Sequence, residues 1–111
     1  MEANMINVFL SDEAKDFVRS LPEKAQKKIT YNIRRVEGGE VNKDLFKKLT
    51  DDIWELRTSY SGRCYRLLAF WDKELRALII ATHGFVKKTW KVPQNEIAKA
   101  EAFMKEYYSN K

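Results

Sequence analysis

The chain has 111 residues, a single cysteine and a net charge of +5. This length allows one compact α/β domain, residues 1–111, and excludes two comfortable ones. A hydrophobic fraction of 44% excludes a disordered chain, and one cysteine excludes an internal disulfide, which fits a reducing compartment.

In chain order, residues 5–10 (MINVFL) predict a short strand. Ser11 then has the character of a helix N-cap, with Asp12 and Glu13 in the first turn to complement the dipole. Ala14, Phe17, Val18 and Leu21 follow helical spacing until Pro22 stops them. A second helix follows at once. Ser20 and Glu23 have capping-box spacing, Ala25, Ile29, Ile33 and Val36 form one apolar stripe, and Gly38-Gly39 ends it. Two helices joined this tightly predict an antiparallel hairpin, with Lys24, Lys27, Lys28, Arg34 and Arg35 on the outside.

Residues 40–52 read as a connector with a helical turn around Leu45 and Phe46. The hydrophobic period then changes to two. Strands are predicted over 53–60, Cys64–Trp71 and Leu75–His83, with turns at Ser61-Gly62 and Asp72-Lys73, which makes a three-stranded antiparallel meander. A loop is expected from His83 to Val92. Pro93 opens a last helix with Ile97, Ala100, Met104 and Tyr107 on one face. The expected fold is α+β, in the order β-α-α-β-β-β-α. A helical hairpin packs on a twisted antiparallel sheet, the first strand joins at an edge, and the other face is left to polar side chains.

No run is apolar for long enough to span a membrane, and Met1–Asn7 lacks the basic and apolar regions of a leader, so a soluble cytoplasmic protein is expected. One histidine and one cysteine exclude a Cys/His zinc site, and no glycine-rich phosphate loop is present. Asp51, Asp52 and Asp72 read as solvated loop acids, so neither metal nor cofactor is expected. The charge is unevenly spread. Residues 43–91 hold eleven Lys/Arg against six Asp/Glu, whereas the segments on either side are neutral. Such a local basic excess fits a polyanion partner, and equally a solvated face kept for solubility.

Within that segment, Arg57, Arg63, Arg66, His83, Lys87, Lys88 and Lys91 are interleaved with Tyr60, Tyr65, Phe85 and Trp90. Metal-free RNA cleavage needs such groups. The 2′-hydroxyl attacks the adjacent phosphorus, cations stabilise the phosphoryl charge, and acid and base groups move two protons. Aromatic rings can stack an unpaired base. His83, Glu55, a tyrosine or a lysine can serve as the base. Each residue also has a plainer reading: Arg57 and Arg66 as cross-strand partners of Glu55 or Asp72, His83 as a hydrogen-bonded structural histidine, and Lys87 and Lys88 as solvated loop lysines.

The runs IWELRTSYSGRCYRLLAFW and LIIATHGFVKKTWKVPQNEIAKA add a family resemblance. WELR, YRLL and HGFVKKT-x-K-x-P-x-x-E-I, in this order over residues 53–100, resemble the phage-derived, HigB-like branch of the RelE/ParE toxin superfamily. The resemblance implies the toxin of a type II toxin–antitoxin system, an endoribonuclease that cleaves mRNA on the ribosome, inhibits translation and is held inactive by a cognate antitoxin, often of helix-turn-helix type. It assigns catalysis to Arg66, Lys87, Lys88, His83 and Arg57, while the basic and aromatic constellation itself offers Arg63, Tyr60, Phe85, Lys91 and Trp90 as RNA contacts. Where RelE carries strand lysines, this chain has Ile53 and Glu55. The competing expectations are a ParE-like inhibitor of DNA gyrase and a non-catalytic module that binds RNA or its own operator.

Overall fold

The computed structural model describes residues 6–40 and 42–111. These form β1 (Asn7–Leu10), α1 (Asp12–Arg19), α2 (Glu23–Glu37), β2 (Phe46–Lys48), β3 (Trp54–Tyr60), β4 (Arg63–Trp71), β5 (Leu78–Lys87) and α3 (Gln94–Ser109). The architecture is α+β, as expected from the change of hydrophobic period. Met5, expected to start the first strand, and Val41, within the expected connector, lie outside the described residues.

The five strands are ordered β1-β5-β4-β3-β2. The meander β3-β4-β5 is antiparallel, and its first hairpin closes through Ser61 and Gly62, both at positive φ, which is the mirror-image turn that matches strand twist. β1 lies at the edge, as expected, but runs parallel to β5, so the sheet is mixed. β2 is an addition to the expected order. Phe46 stacks on Trp54 with ring centroids 4.7 Å apart, and this contact draws a three-residue edge strand out of the connector. Three residues are too few to show a period in sequence.

Local chemistry sets the element ends. The Ser11 hydroxyl caps α1 by accepting from the Ala14 N–H at 3.1 Å, and it donates to the Thr82 carbonyl at 2.7 Å. Ser20 does not cap α2. Its hydroxyl turns back to the Phe17 carbonyl at 2.6 Å, and α2 begins after Pro22 without a side-chain cap. Gly39, at φ +88°, donates to the Val36 carbonyl and turns the chain out of α2.

Both sheet faces are covered, unequally. Ala25, Ile29 and Val36 of α2 and Ala14 of α1 pack on Leu56, Leu67, Ala69, Ile79 and Ala81. Gly84 brings α1 close, since a Cβ there would lie 2.2 Å from the Phe17 ring. On the opposite face, Ile97 and Ala100 of α3 pack on Ile53, Leu68, Phe70 and Ile80. Met104 and Tyr107 join this second cluster, so the expected apolar face of the last helix is the buried one. α3 covers only one end of its face. The other end carries polar side chains of β3, β4 and β5.

The third meander strand differs from expectation at both ends. It starts three residues later, because the Asp72 carboxylate accepts from the Glu74 and Leu75 N–H groups at 2.8 Å and holds the preceding turn. It also continues to Lys87, so Gly84–Lys87 are strand rather than loop.

Candidate active site

Strand alternation and register gather the polar side chains at the uncovered end of the sheet. In the pairing, Glu55 is opposite Leu68 and Leu68 opposite His83; Arg57 is opposite Arg66 and Arg66 opposite Phe85; Ser59 is opposite Cys64 and Cys64 opposite Lys87. A β-bulge between Leu68 and Ala69 leaves Thr82 as an extra residue. Ile80 points to the α3 face before the bulge, and Phe85 does so after it. The bulge therefore changes the phase of β5 by one residue and turns His83, Phe85 and Lys87 to the side of Arg57 and Arg66. Val86 packs on the helical hairpin instead.

Glu55 sits between the two arginines and is 1% exposed. Its carboxylate oxygens lie 3.4 Å from Arg57 Nε and 3.4 Å from Arg66 Nε. Arg57 also donates to the Lys43 carbonyl, and Arg66, which is 4% exposed, donates to the Tyr65 carbonyl at 3.2 Å. Glu55 thus offsets the repulsion between two adjacent guanidinium groups. The Glu55–Arg66 contact lacks hydrogen-bond alignment. Glu55 Oε2 and Arg66 Nε are buried without a hydrogen-bond partner among the described residues. Such groups are rare in folded proteins.

The cations perturb one another. Burial lowers the proton affinity of Arg66, Glu55 raises it, and the charge of Arg57 lowers it again. Burial, then the charges of Arg66 and Arg57, push the Lys87 ammonium below the ordinary lysine range. Lys87 therefore releases a proton more readily than a solvated lysine.

His83 is 2% exposed, and both ring nitrogens are engaged. Nδ1 lies 2.9 Å from Thr82 Oγ1, and Nε2 lies 2.8 Å from Glu96 Oε1 in the first turn of α3. It joins β5 to α3 and is closed to solvent. In sequence Glu96 is only the acid of the P-x-x-E-I run, with no role assigned. An acid in the first turn of a helix is an ordinary dipole partner, and only the tertiary fold brings it to His83.

The sequence-derived set is thus divided by the structure. Arg57, Phe85 and Lys87 come together, half-buried, around a buried Arg66 on the sheet face beyond α3, with His83 behind them. Lys88, Trp90 and Lys91 follow the end of β5 and are exposed. The Lys91 ammonium lies 5.5 Å from the Trp90 ring centroid, and Trp90 is 85% exposed. Tyr60 packs with the helix-side cluster, and Arg63 is exposed at the hairpin turn beside it. Among the described residues no three His, Cys, Asp or Glu side chains converge as metal ligands. The cluster can bind an anion, stabilise charge developing on it and exchange a proton through Lys87.

A helical hairpin covers one face of a small sheet, a C-terminal helix covers part of the other, and a cationic cluster occupies the remainder. The chain belongs to the family described as phage-derived protein Gp49-like (DUF891), whose profile matches residues 16–105.

Solved structures show the same fold at low identity. A free double arginine-to-alanine mutant of the E. coli toxin RelE aligns with a TM-score of 0.60 and 13% identity, over 87% of this chain and 94% of that one. The intact E. coli RelBE toxin–antitoxin complex aligns with a TM-score of 0.51 and 17% identity, over 76% of this chain and 96% of that one. The isolated E. coli RelE toxin gives 0.51 and 15%, over 82% and 92%. No curated protein sequence matches the chain.

Proposed function

We propose that the protein is the toxin of a type II toxin–antitoxin pair, a metal-independent endoribonuclease that cleaves mRNA on the ribosome. The observation that carries this reading is the Arg57–Glu55–Arg66–Lys87 cluster, in which half-buried Arg57 and Lys87 reach the surface over buried Glu55 and Arg66. Fixed guanidinium groups in a half-buried site stabilise charge on the phosphoryl oxygens without reorganising at the moment of reaction. The 2′-oxygen attacks phosphorus and the bond to the 5′-oxygen breaks, leaving a 2′,3′-cyclic phosphate and a 5′-hydroxyl. Lys87 donates the proton the leaving oxygen requires, and the 2′-hydroxyl proton passes to water. Phe85 and the exposed Trp90 offer faces on which an unpaired base can stack. His83 acts by position, holding β5 against α3 rather than exchanging protons with substrate.

This cluster is strong in charge and poor in dedicated bases. Alignment of the 2′-oxygen with the leaving group therefore falls to whatever holds the mRNA, and the ribosomal decoding site does this for each codon. The fold shared with the RelBE complex supports a cognate antitoxin as partner, of helix-turn-helix type on the sequence resemblance. Toxin, antitoxin and ribosome would meet in the cytoplasm. Among the described residues no helix is long and apolar enough to cross a membrane.

The test is to induce the wild-type chain and its Arg66→Ala variant in a bacterium and map the 5′ ends of cellular transcripts. New ends inside translated codons, absent in the variant and on untranslated transcripts, are expected. Growth arrest with altered supercoiling and no new ends would replace this reading with gyrase inhibition. No arrest at all would leave a binding module.

A further inference from the structure

The exposed side of α2 carries a second basic surface, on the opposite side of the sheet from the cluster. Lys24, Lys27, Lys28, Tyr31, Arg34 and Arg35 recur at spacings of three and four, so they form one stripe along the helix. Ala25, Ile29 and Val36 occupy the buried stripe behind them. Lys24, Lys27, Tyr31 and Arg34 are exposed. From Lys24 to Arg35 the stripe rises about 16 Å at the helical repeat.

Tyr31 stands in the middle, 57% exposed, with Lys28 Nζ at 5.3 Å and the Arg35 guanidinium at 5.7 Å from its ring centroid. Arg35 is tied to Glu40. Lys27 meets Glu23 at 3.6 Å, a pair largely open to water and easily exchanged for a phosphate.

We infer that this face of α2 is a second RNA-docking surface, which takes the phosphate backbone of a base-paired RNA while the cluster on the other side of the sheet acts on a single strand. The inference rests on the ribonuclease reading for its choice of polyanion. Three of the five cations are lysines, and the only ring on the stripe is already flanked by charge. The centres of protein–protein interfaces are depleted in lysine, and the stripe offers them a single aromatic anchor, Tyr31. Regularly spaced, flexible ammonium groups match a repeating phosphate backbone instead, and duplex RNA is recognised chiefly through backbone and shape. The molecule is 23 Å through its thinnest dimension, so the two surfaces can face different RNA elements at once.

The probe is vacant bacterial ribosomes carrying no mRNA, co-sedimented with the full chain over a salt series. Comparison is with a variant carrying Lys24→Gln, Lys27→Gln, Lys28→Gln and Arg34→Gln. The expected result is at least tenfold weaker binding, with the slope of log affinity against log salt reduced by about 3 for four lost phosphate contacts. If that variant does not fold as wild type by circular dichroism, the pair Lys24→Gln and Arg34→Gln should give about half the change in slope.

Binding equal to wild type, with the same slope, would overturn the inference. So would wild-type protein that does not sediment with ribosomes. Tighter binding of poly-L-glutamate than of ribosomes, lost in the variant, would assign the face to an acidic protein and also overturn it. The transcript map separates the two readings. Cleavage within translated codons beside unaltered ribosome binding leaves the nuclease standing without the docking surface. Stripe-dependent binding without new transcript ends does the reverse.

Discussion

At the residue scale, the site turns on one carboxylate among three cations. Arg57, Arg66 and Lys87 crowd the open face, and Glu55 makes their proximity tolerable. Replacing Glu55 by Gln removes the only acid in contact with Arg66 among the described residues and leaves a buried guanidinium uncompensated. The expected loss is roughly 3 kcal/mol, read as a lower urea midpoint at unchanged slope. Lys87 has a different signature. In the proposed mechanism its ammonium form is the active one, and its pKa is lowered from the ordinary lysine value because burial and two arginines disfavour the charge. Cleavage by wild type should therefore hold at neutral pH and fall on the alkaline side, below the ordinary lysine value of about 10.4. Lys87→Gln should remove that limb and slow cleavage on the order of a hundredfold, measured on ribosome-bound mRNA. Lys87→Arg should move the limb to higher pH.

At the scale of elements, β5 and α3 decide the shape of the site. The bulge at Thr82 selects Lys87 for the open face, whereas an unbroken alternation would have turned Val86 and Lys88 there. α3 is fastened at both ends. Glu96 meets His83 at its start, and at its end Tyr107 and Lys111 donate to Asp72 at 2.5 and 2.8 Å. Those hydrogen bonds, first that of Lys111, hold the Asp72 carboxyl well below its ordinary range. A depressed carboxylate stabilises the fold above its unfolded pKa, near 4, and loses that contribution as pH falls below it. Asp72→Asn should therefore lower thermal stability at neutral pH, and the gap to wild type should narrow steadily as pH falls from 4 to 2. A gap independent of pH would show that the carboxylate charge is not what fastens α3.

At the scale of the whole molecule, one sheet carries two cores. Leu56, Leu67 and Ile79 belong to the helix-hairpin side, and Leu68, Phe70 and Ile80 to the α3 side, so alternate residues of the same strands serve both. Neither core can open without loosening the other. Unfolding should be a single cooperative transition. Tryptophan emission reports one side, because Trp54 and Trp71 line it and Trp90 is already exposed. Far-UV circular dichroism reports all three helices. The two curves should coincide in urea, and a separate early loss of helical signal would show α3 melting alone.

The sequence by itself determined the local elements. Ser11 as a cap, the apolar stripe of α2, the Ser61-Gly62 hairpin and the alternation of β3 are all set by interactions within a few residues, so a reading of neighbours finds them. The family resemblance was legible too, because WELR, YRLL and HGFVKKT keep their order and spacing. What the tertiary structure alone decided depends on partners far apart in the chain. β2 exists because Phe46 meets Trp54 across the connector, and β1 is parallel because it returns beside β5. The candidate site was legible as a composition but not as a geometry. Register set Arg57 beside Arg66 and both against Glu55, a single extra residue at Thr82 turned Lys87 inward, and packing sealed His83 behind Glu96. Each of these is a matter of long-range pairing, which spacing in one sequence does not encode.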